Sequence, residues 1–253
     1  MAVRVSFPQV DVRGLPITVC KTVEVRGIIT TAIEARQLCR VATVNLDFLR
    51  LADERPEVQQ ALLDCEHRFA DGWPILELAR LAGTMLPERV TGADLTPRIL
   101  SWAREAGWKV GLIGGLPETA VALKQQGNWA DIIVGHWLPS YQGTAVADPE
   151  LAKDIRVSGA DILLVALGCP KQELWIHANL PASGAVVALG IGGSLEFLAG
   201  ITRRAPRIFQ ALRLEFAFRM LMEPRRLGRR YVQDYLFWRR IIREARQTSK
   251  QHT

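Results

Sequence analysis

Several things are scarce in this sequence, and each shortage excludes a class of protein. Cysteine occurs only as Cys20, Cys39, Cys65 and Cys169. None of these stands in a CxxC or zinc-type spacing, so a disulfide scaffold and a structural zinc site are both excluded, and the thiols read as reduced in a cytosolic protein. The histidines, His67, His136, His177 and His252, show no paired spacing, and His67 reads as a core or surface residue rather than a ligand. No acidic DxD pair stands between strands. No metal and no cofactor are therefore expected. Long apolar runs are also missing. No stretch approaches about 18 uninterrupted apolar residues, so a spanning helix is excluded and any membrane contact is peripheral. The opening MAVRVSFPQV lacks the apolar core of a secretory signal. There is no internal repeat and no low-complexity linker.

The 253 residues are 49% hydrophobic and 23% charged, the balance of an ordinary globular chain with a proper core. The charge, however, is unevenly placed. Net charge is +6, yet from Arg203 to Thr253 there are 14 Lys or Arg against 4 Asp or Glu, a local +10 that leaves the first 202 residues at −4. A near-neutral body with a basic end points to an anionic partner: phosphate, nucleic acid or a lipid surface.

Strand-like and helix-like runs alternate along the body. RVATVN, Arg40 to Asn45, reads as a strand after a helical TTAIEARQLC. RPEVQQALLDCEHRF reads as one helix, and PILELARLAG as the next, with Pro74 in its first turn and Gly83 as its stop. From Gly107 the strands WKVGLIGG, DIIVGHW, DILLVALG and GAVVALGIGG follow with helices between them. This alternation predicts an α/β, Rossmann-like parallel sheet with flanking helices. Ligands of such sheets bind outside the carboxyl ends of the strands. After Gly200 the strands stop. IFQALRLEFAFRMLMEP and RRLGRRYVQDYLFWRRIIREARQ read as two basic amphipathic helices, the second with Tyr231, Tyr235, Trp238 and Ile242 on one stripe. The expected organisation is a core over 1–200, its first 100 residues distinct from a Rossmann-like 101–200, and a helical appendage over 201–253.

Polar residues collect at the ends of these elements. Asp71, in ADG, stands between a helix-like and a second helix-like run, where an Asp most often caps the following helix. It has company: Thr43 and Asn45 end an apolar strand, and PERVTGAD brings Arg89, Thr91 and Asp94. These ends converge on one cleft, or they are separate caps and turns. Gly114 and Gly115 suit either a phosphate held by backbone N–H groups or tight packing of helix on strand. In GCPKQE a buried strand breaks and is expected to expose Lys171, Gln172 and Glu173 together; alternatively Glu173 simply favours the positive end of a helix. The arginines of the last 50 residues interleave with aromatic and apolar side chains, as in a helix that lies on an anionic membrane.

TVN, ADGWPILELARLAG, LPERVTGADL, GCPKQE, GIGGSLEFLAG and LEFAFRMLMEPRRLGRRY, in that order, resemble the WecG/TagA/CpsF family of bacterial glycosyltransferases. The resemblance runs from about Ile17 to about Tyr231. It implies an inverting enzyme that moves a sugar from a UDP-sugar to a polyprenyl-diphosphate-linked acceptor in cell-surface polysaccharide synthesis, without a metal, at the cytoplasmic face of the bacterial inner membrane. It implies Asp71 as catalytic base, with Arg219, Arg226 and Arg229 lent to the active site by the appendage. It implies substrate-binding roles for Thr43, Asn45, Arg89 and Gln172; the candidates Thr91, Gly114, Gly115, Lys171 and Glu173 rest on their positions at the element ends alone. It implies no nucleic-acid partner and leaves a homo-oligomer open. Two rival readings stand beside it. A nicotinamide-dependent oxidoreductase would use GLIGG, which lacks the full GxGxxG pattern and its ribose carboxylate. A nucleic-acid module would use the basic end and bind any duplex in a salt-sensitive way.

Overall fold

The computed structural model of the chain describes residues 7–126, 129–139, 147–202, 206, 220 and 224–251, with side chains except at 224–226 and 246–251. Six parallel strands form the central sheet, in the order β4-β3-β8-β7-β5-β6. They are β3 Cys39–Val44, β4 His67–Ala70, β5 Val110–Gly114, β6 Ile133–Trp137, β7 Ile162–Ala166 and β8 Val187–Gly190. A separate antiparallel hairpin, β1 Gln9–Val12 and β2 Leu15–Thr18, turns at Arg13–Gly14, both at positive φ as a tight two-residue hairpin turn requires.

The strands of the middle alternate between two packed layers. Ile162 and Leu164 of β7 join a core with α1 Val25–Ala35, α5 Gly92–Ala106 and α6 Thr119–Gln125. Leu163 and Val165 join another, under α7 Pro149–Ser158 and α8 Lys171–Ser183. Period-two alternation with both faces apolar is what a sheet covered on both sides demands. A third cluster lies beside β3 and β4. There the hairpin, α2 Leu46–Glu54, α3 Pro56–Leu63 and α4 Trp73–Leu81 enclose Ala42, Val44 and Ala70. The short α9 Ser194–Leu198 packs on α5 and α6.

The sheet has a switch point at its centre. β3 leads into α2, which lies with α3 on the side of α8; its neighbour β8 leads into α9, on the side of α5. Adjacent strands whose connections leave to opposite faces open a crevice at their carboxyl ends.

Three expectations need correction. The helix from Pro56 ends at Leu63, and HRFA forms strand β4. Pairing decides this: His67 to Ala70 run in register with Val41 to Val44, and Phe69 is fully buried. The basic end does form a long helix, α10 Pro224–Gln251, but its inward stripe differs from the expected one. Leu227, Asp234, Phe237 and Ile241 are buried, Trp238 and Ile242 are half-buried beside them, and Tyr235 points out. Two stripes on this helix are equally periodic, and the core under α2 and α4 takes the one with Phe237. The third concerns Gln172 and Glu173, described below. The other basic helix expected, IFQALRLEFAFRMLMEP, lies outside the described residues except for positions 220 and 224.

Candidate active site

Asp71 follows the last residue of β4. Its backbone N–H donates to the Val44 carbonyl (2.8 Å), so it stands directly beside Asn45 at the end of β3. On its other side the Val90 N–H donates to the Ala70 carbonyl (2.9 Å), which brings Arg89 alongside. Two backbone hydrogen bonds thus set Asn45, Asp71 and Arg89 next to one another on the carboxyl edge, Asp71 and Arg89 half-buried. Asp71 stands one residue before the N-cap position of the helix after it. The N-cap of α4 is Gly72, at φ +121°, a conformation closed to most L residues.

Other polar groups at this edge do serve as caps. Asn45 Oδ1 accepts from the Phe48 N–H (3.3 Å) and starts α2. Thr91 starts α5: its hydroxyl accepts from the Asp94 N–H (3.1 Å) and donates to Asp94 Oδ2 (2.9 Å). Thr91 is therefore the cap of α5, and Asp94 orients its hydroxyl. The same corner closes on β8, because a Cβ on Gly92 would come within 3.2 Å of Ile191 Cα. Thr43, 5% exposed, donates from its hydroxyl to the Gly190 carbonyl at 3.5 Å, joining the carboxyl ends of β3 and β8.

Gly114 and Gly115 end β5. A Cβ on Gly114 would stand 2.7 Å from the Ala166 carbonyl oxygen, and one on Gly115 3.0 Å from Glu196 Oε1. Close packing against β7 and α9 accounts for both glycines.

Lys171, Gln172 and Glu173 do not share one exposed face. Lys171 is exposed, while Gln172 and Glu173 are buried under the end of β8. Being consecutive on a helix, they point in different directions, and α8 turns the latter two toward the sheet. Gln172 Oε1 accepts from the Gly192 N–H (3.0 Å) and its Nε2 donates to Glu173 Oε1 (2.7 Å). Burial, with the Asp47 charge adding to it, pushes the Glu173 carboxyl up to about 8, so the helix end fails to hold it ionised.

The basic end meets this edge through a buried cluster that the sequence did not reveal. Arg50 of α2 donates to Asp47 Oδ1 (2.5 Å), to Asp234 Oδ1 of α10 (2.9 Å) and to Glu54 (2.9 Å). Arg230 Nη1 lies 3.7 Å from Asp47 Oδ2, two residues beyond Asn45. Trp238 meets Trp73, two residues beyond Asp71, edge to face with centroids 5.0 Å apart. The helix thus grips the first turns of the two helices that begin immediately after Asn45 and Asp71. Of the arginines expected in the site, Arg219 lies outside the described residues, as does the side chain of Arg226, and Arg229 is exposed. Arg230, not singled out by sequence, reaches the core, and its charge is felt at Cys169 after β7.

A separate surface cleft is lined by Arg36, Arg156, Gly159, Ala160, Asp161 and Gly184. It lies at the amino edge of the sheet, and its arginines are engaged by Asp161 and by the Ala182 and Gly184 carbonyls. No residue of the carboxyl edge reaches it. Among the described residues, no group of three or more His, Cys, Asp or Glu could hold a metal ion, and no helix is long and apolar enough to cross a membrane.

Compared with known families, residues 10–251 match the model described as the glycosyl transferase WecG/TagA/CpsF family.

Proposed function

This chain belongs to the WecG/TagA/CpsF family of inverting glycosyltransferases, and from that premise we propose how its carboxyl edge transfers a sugar from a UDP-sugar to a polyprenyl-diphosphate-linked acceptor. The observation that carries the proposal is that Asp71 follows β4 beside Asn45 and Arg89 at the carboxyl edge of the sheet. The Asp71 carboxylate takes the proton from the acceptor hydroxyl. The hydroxyl oxygen then attacks the anomeric carbon in line, the new C–O bond forms, and the bond to the phosphate oxygen breaks on the opposite side. Inversion follows from this single displacement. The departing UDP carries the electron pair, and its diphosphate gathers negative charge that fixed donors and cations must meet.

The donor lies in the β3/β8 crevice, between Thr43, Asn45 and the glycines after β8, with Lys171 and the Gly114–Gly115 end at its flank. Arg89 faces the reacting groups from the other side. Thr91 contributes by fixing the PERVTG corner. The guanidinium groups that neutralise the diphosphate come from the appendage: Arg230 from its position over Asp47, joined by Arg219 and Arg226, while the exposed Arg229 serves the outward face. Arginine suits this task because its fork matches two phosphate oxygens at once.

The appendage also meets the membrane at the cytoplasmic face. Val232, Tyr235 and Leu236 are about three-fifths exposed on the outward side of α10, with exposed Arg229, Arg239 and Arg243 around them. Each basic residue near an anionic surface adds on the order of 1 kcal/mol, so this face alone favours binding. A thermal-shift panel tests the reading. UDP-sugars should raise the melting temperature. Stabilisation by NAD and none by any uridine diphosphate would overturn it in favour of the oxidoreductase.

A further inference from the structure

Gln172 and Glu173 are each 3% exposed and lie against the bare Cα of Gly190. A Cβ on Gly190 would stand 2.5 Å from both Gln172 Nε2 and Glu173 Oε1. The Gly190 carbonyl in turn accepts from Thr43. One hydrogen-bond chain therefore runs from Glu173 through the Gln172 amide to the Gly192 N–H, beneath the loop that forms one wall of the crevice. The second oxygen of Glu173, Oε2, is buried and has no hydrogen-bond partner among the described residues.

An amide side chain has two unlike ends, and something must choose between them. Here Glu173 Oε1 accepts, so the Gln172 NH2 turns toward it and the Gln172 oxygen is left for Gly192. A side chain that could not accept would let the amide turn over and set a donor against the Gly192 N–H. We propose that Glu173 is a positioning residue: through Gln172 it fixes the Gly190–Gly193 loop in the shape that receives the donor's diphosphate. This rests on the family reading of a UDP-linked donor.

The charge state of Glu173 follows from its surroundings. The groups coupled to it are Asp47 from α2, Cys65 after α3 and Cys169 after β7, with Arg50 and Arg230 beyond Cys169. Asp47 opposes a second negative charge, and burial raises both thiols, so they bring none of their own. A buried carboxylate with one neutral partner is costly, and the acid stays protonated at neutral pH. Its ordinary value is 4.5 and its folded value about 8, so it ionises in the fold only as pH rises through about 8. The ionised Oε2 then demands a partner that the described residues do not supply, and the loop loosens.

The test combines steady-state kinetics across pH with amide exchange at Gly192. In the natural chain the KM for the UDP-sugar should rise as pH passes about 8, while kcat changes less. E173Q stays neutral and still accepts from Gln172, so that alkaline limb should vanish. E173L should raise KM at every pH and speed exchange of the Gly192 N–H by tenfold or more, about 1.4 kcal/mol of lost protection. An identical alkaline limb in E173Q overturns the inference, and so does a Gly192 amide as protected in E173L as in the natural chain, whatever the chain binds. If E173L does not fold, the E173Q profile alone decides. A loosened amide in a chain without affinity for UDP overturns the donor reading instead.

Discussion

Arg50→Met is the most informative single change for the way the appendage is held. The Arg50, Asp47 and Asp234 side chains are 8%, 9% and 10% exposed, so the charges are buried and poorly screened. Removing one partner of a buried ion pair costs about 3–5 kcal/mol, because the orphaned charge stays out of water. Asp47 keeps Arg230 at 3.7 Å and the amino end of α2, the latter worth about 0.3–1 kcal/mol. Asp234 keeps only the more distant Arg230 charge and bears most of the loss, which we expect near the low end, about 3 kcal/mol. Against this stands the apolar anchoring by Leu227, Phe237 and Ile241, on the order of 5–9 kcal/mol before the entropy of ordering a long helix is subtracted. The net hold is small enough for the variant to release α10 while the sheet stays folded. Hydrogen exchange over 227–245 should then speed up ahead of the core, and tryptophan fluorescence should report separation of Trp73 from Trp238. Arg50→Met with Asp234→Leu should recover most of the loss, since an apolar pair leaves no orphan. If Arg50→Met alone leaves exchange and stability within about 0.5 kcal/mol of the natural chain, the cluster does not hold the helix.

Other outcomes follow from neighbouring features. Asp234 is held up at about 6 by burial and by Asp47, above its ordinary 3.8. The folded chain thus keeps a proton that the unfolded chain has lost between about pH 4 and about pH 6, so stability falls as pH rises through that window and levels above it. Asp234→Asn should remove that slope in melting temperature measured against pH. Thr91→Ala removes the cap of α5 and should cost about 1 kcal/mol in urea unfolding. Val232→Glu with Leu236→Glu should weaken sedimentation with anionic vesicles by tenfold or more while leaving the melting point unchanged, since both side chains already face outward.

The sheet was legible because β3, β5, β7 and β8 are apolar on both faces and end in glycine or polar residues. β4 was not, since its four residues continue the spacing of the helix before it and only pairing with β3 makes them a strand. The hairpin at Arg13–Gly14 carries only a weak sequence signal, a two-residue turn between two short apolar runs. Periodicity alone could not say which stripe of α10 faces in; Arg50 and Asp234, 184 positions apart, carry that information. Nor could it say that Gln172 and Glu173 turn inward, because their burial depends on the missing side chain of Gly190. Sequence alone leaves open whether Asn45, Asp71 and Arg89 share one cleft or are separate caps and turns; backbone pairing between Val44, Asp71, Ala70 and Val90 sets the three side by side, and Asn45 is a cap as well.

The proposed mechanism turns on Asp71 as the base. The direct measurement is kcat and the UDP dissociation constant of Asp71→Asn, with a UDP-sugar and a lipid-diphosphate acceptor. Loss of a general base should lower kcat by about 10²–10⁴-fold and leave UDP affinity within a factor of about two. A kcat within a few-fold of the natural chain would contradict the assignment.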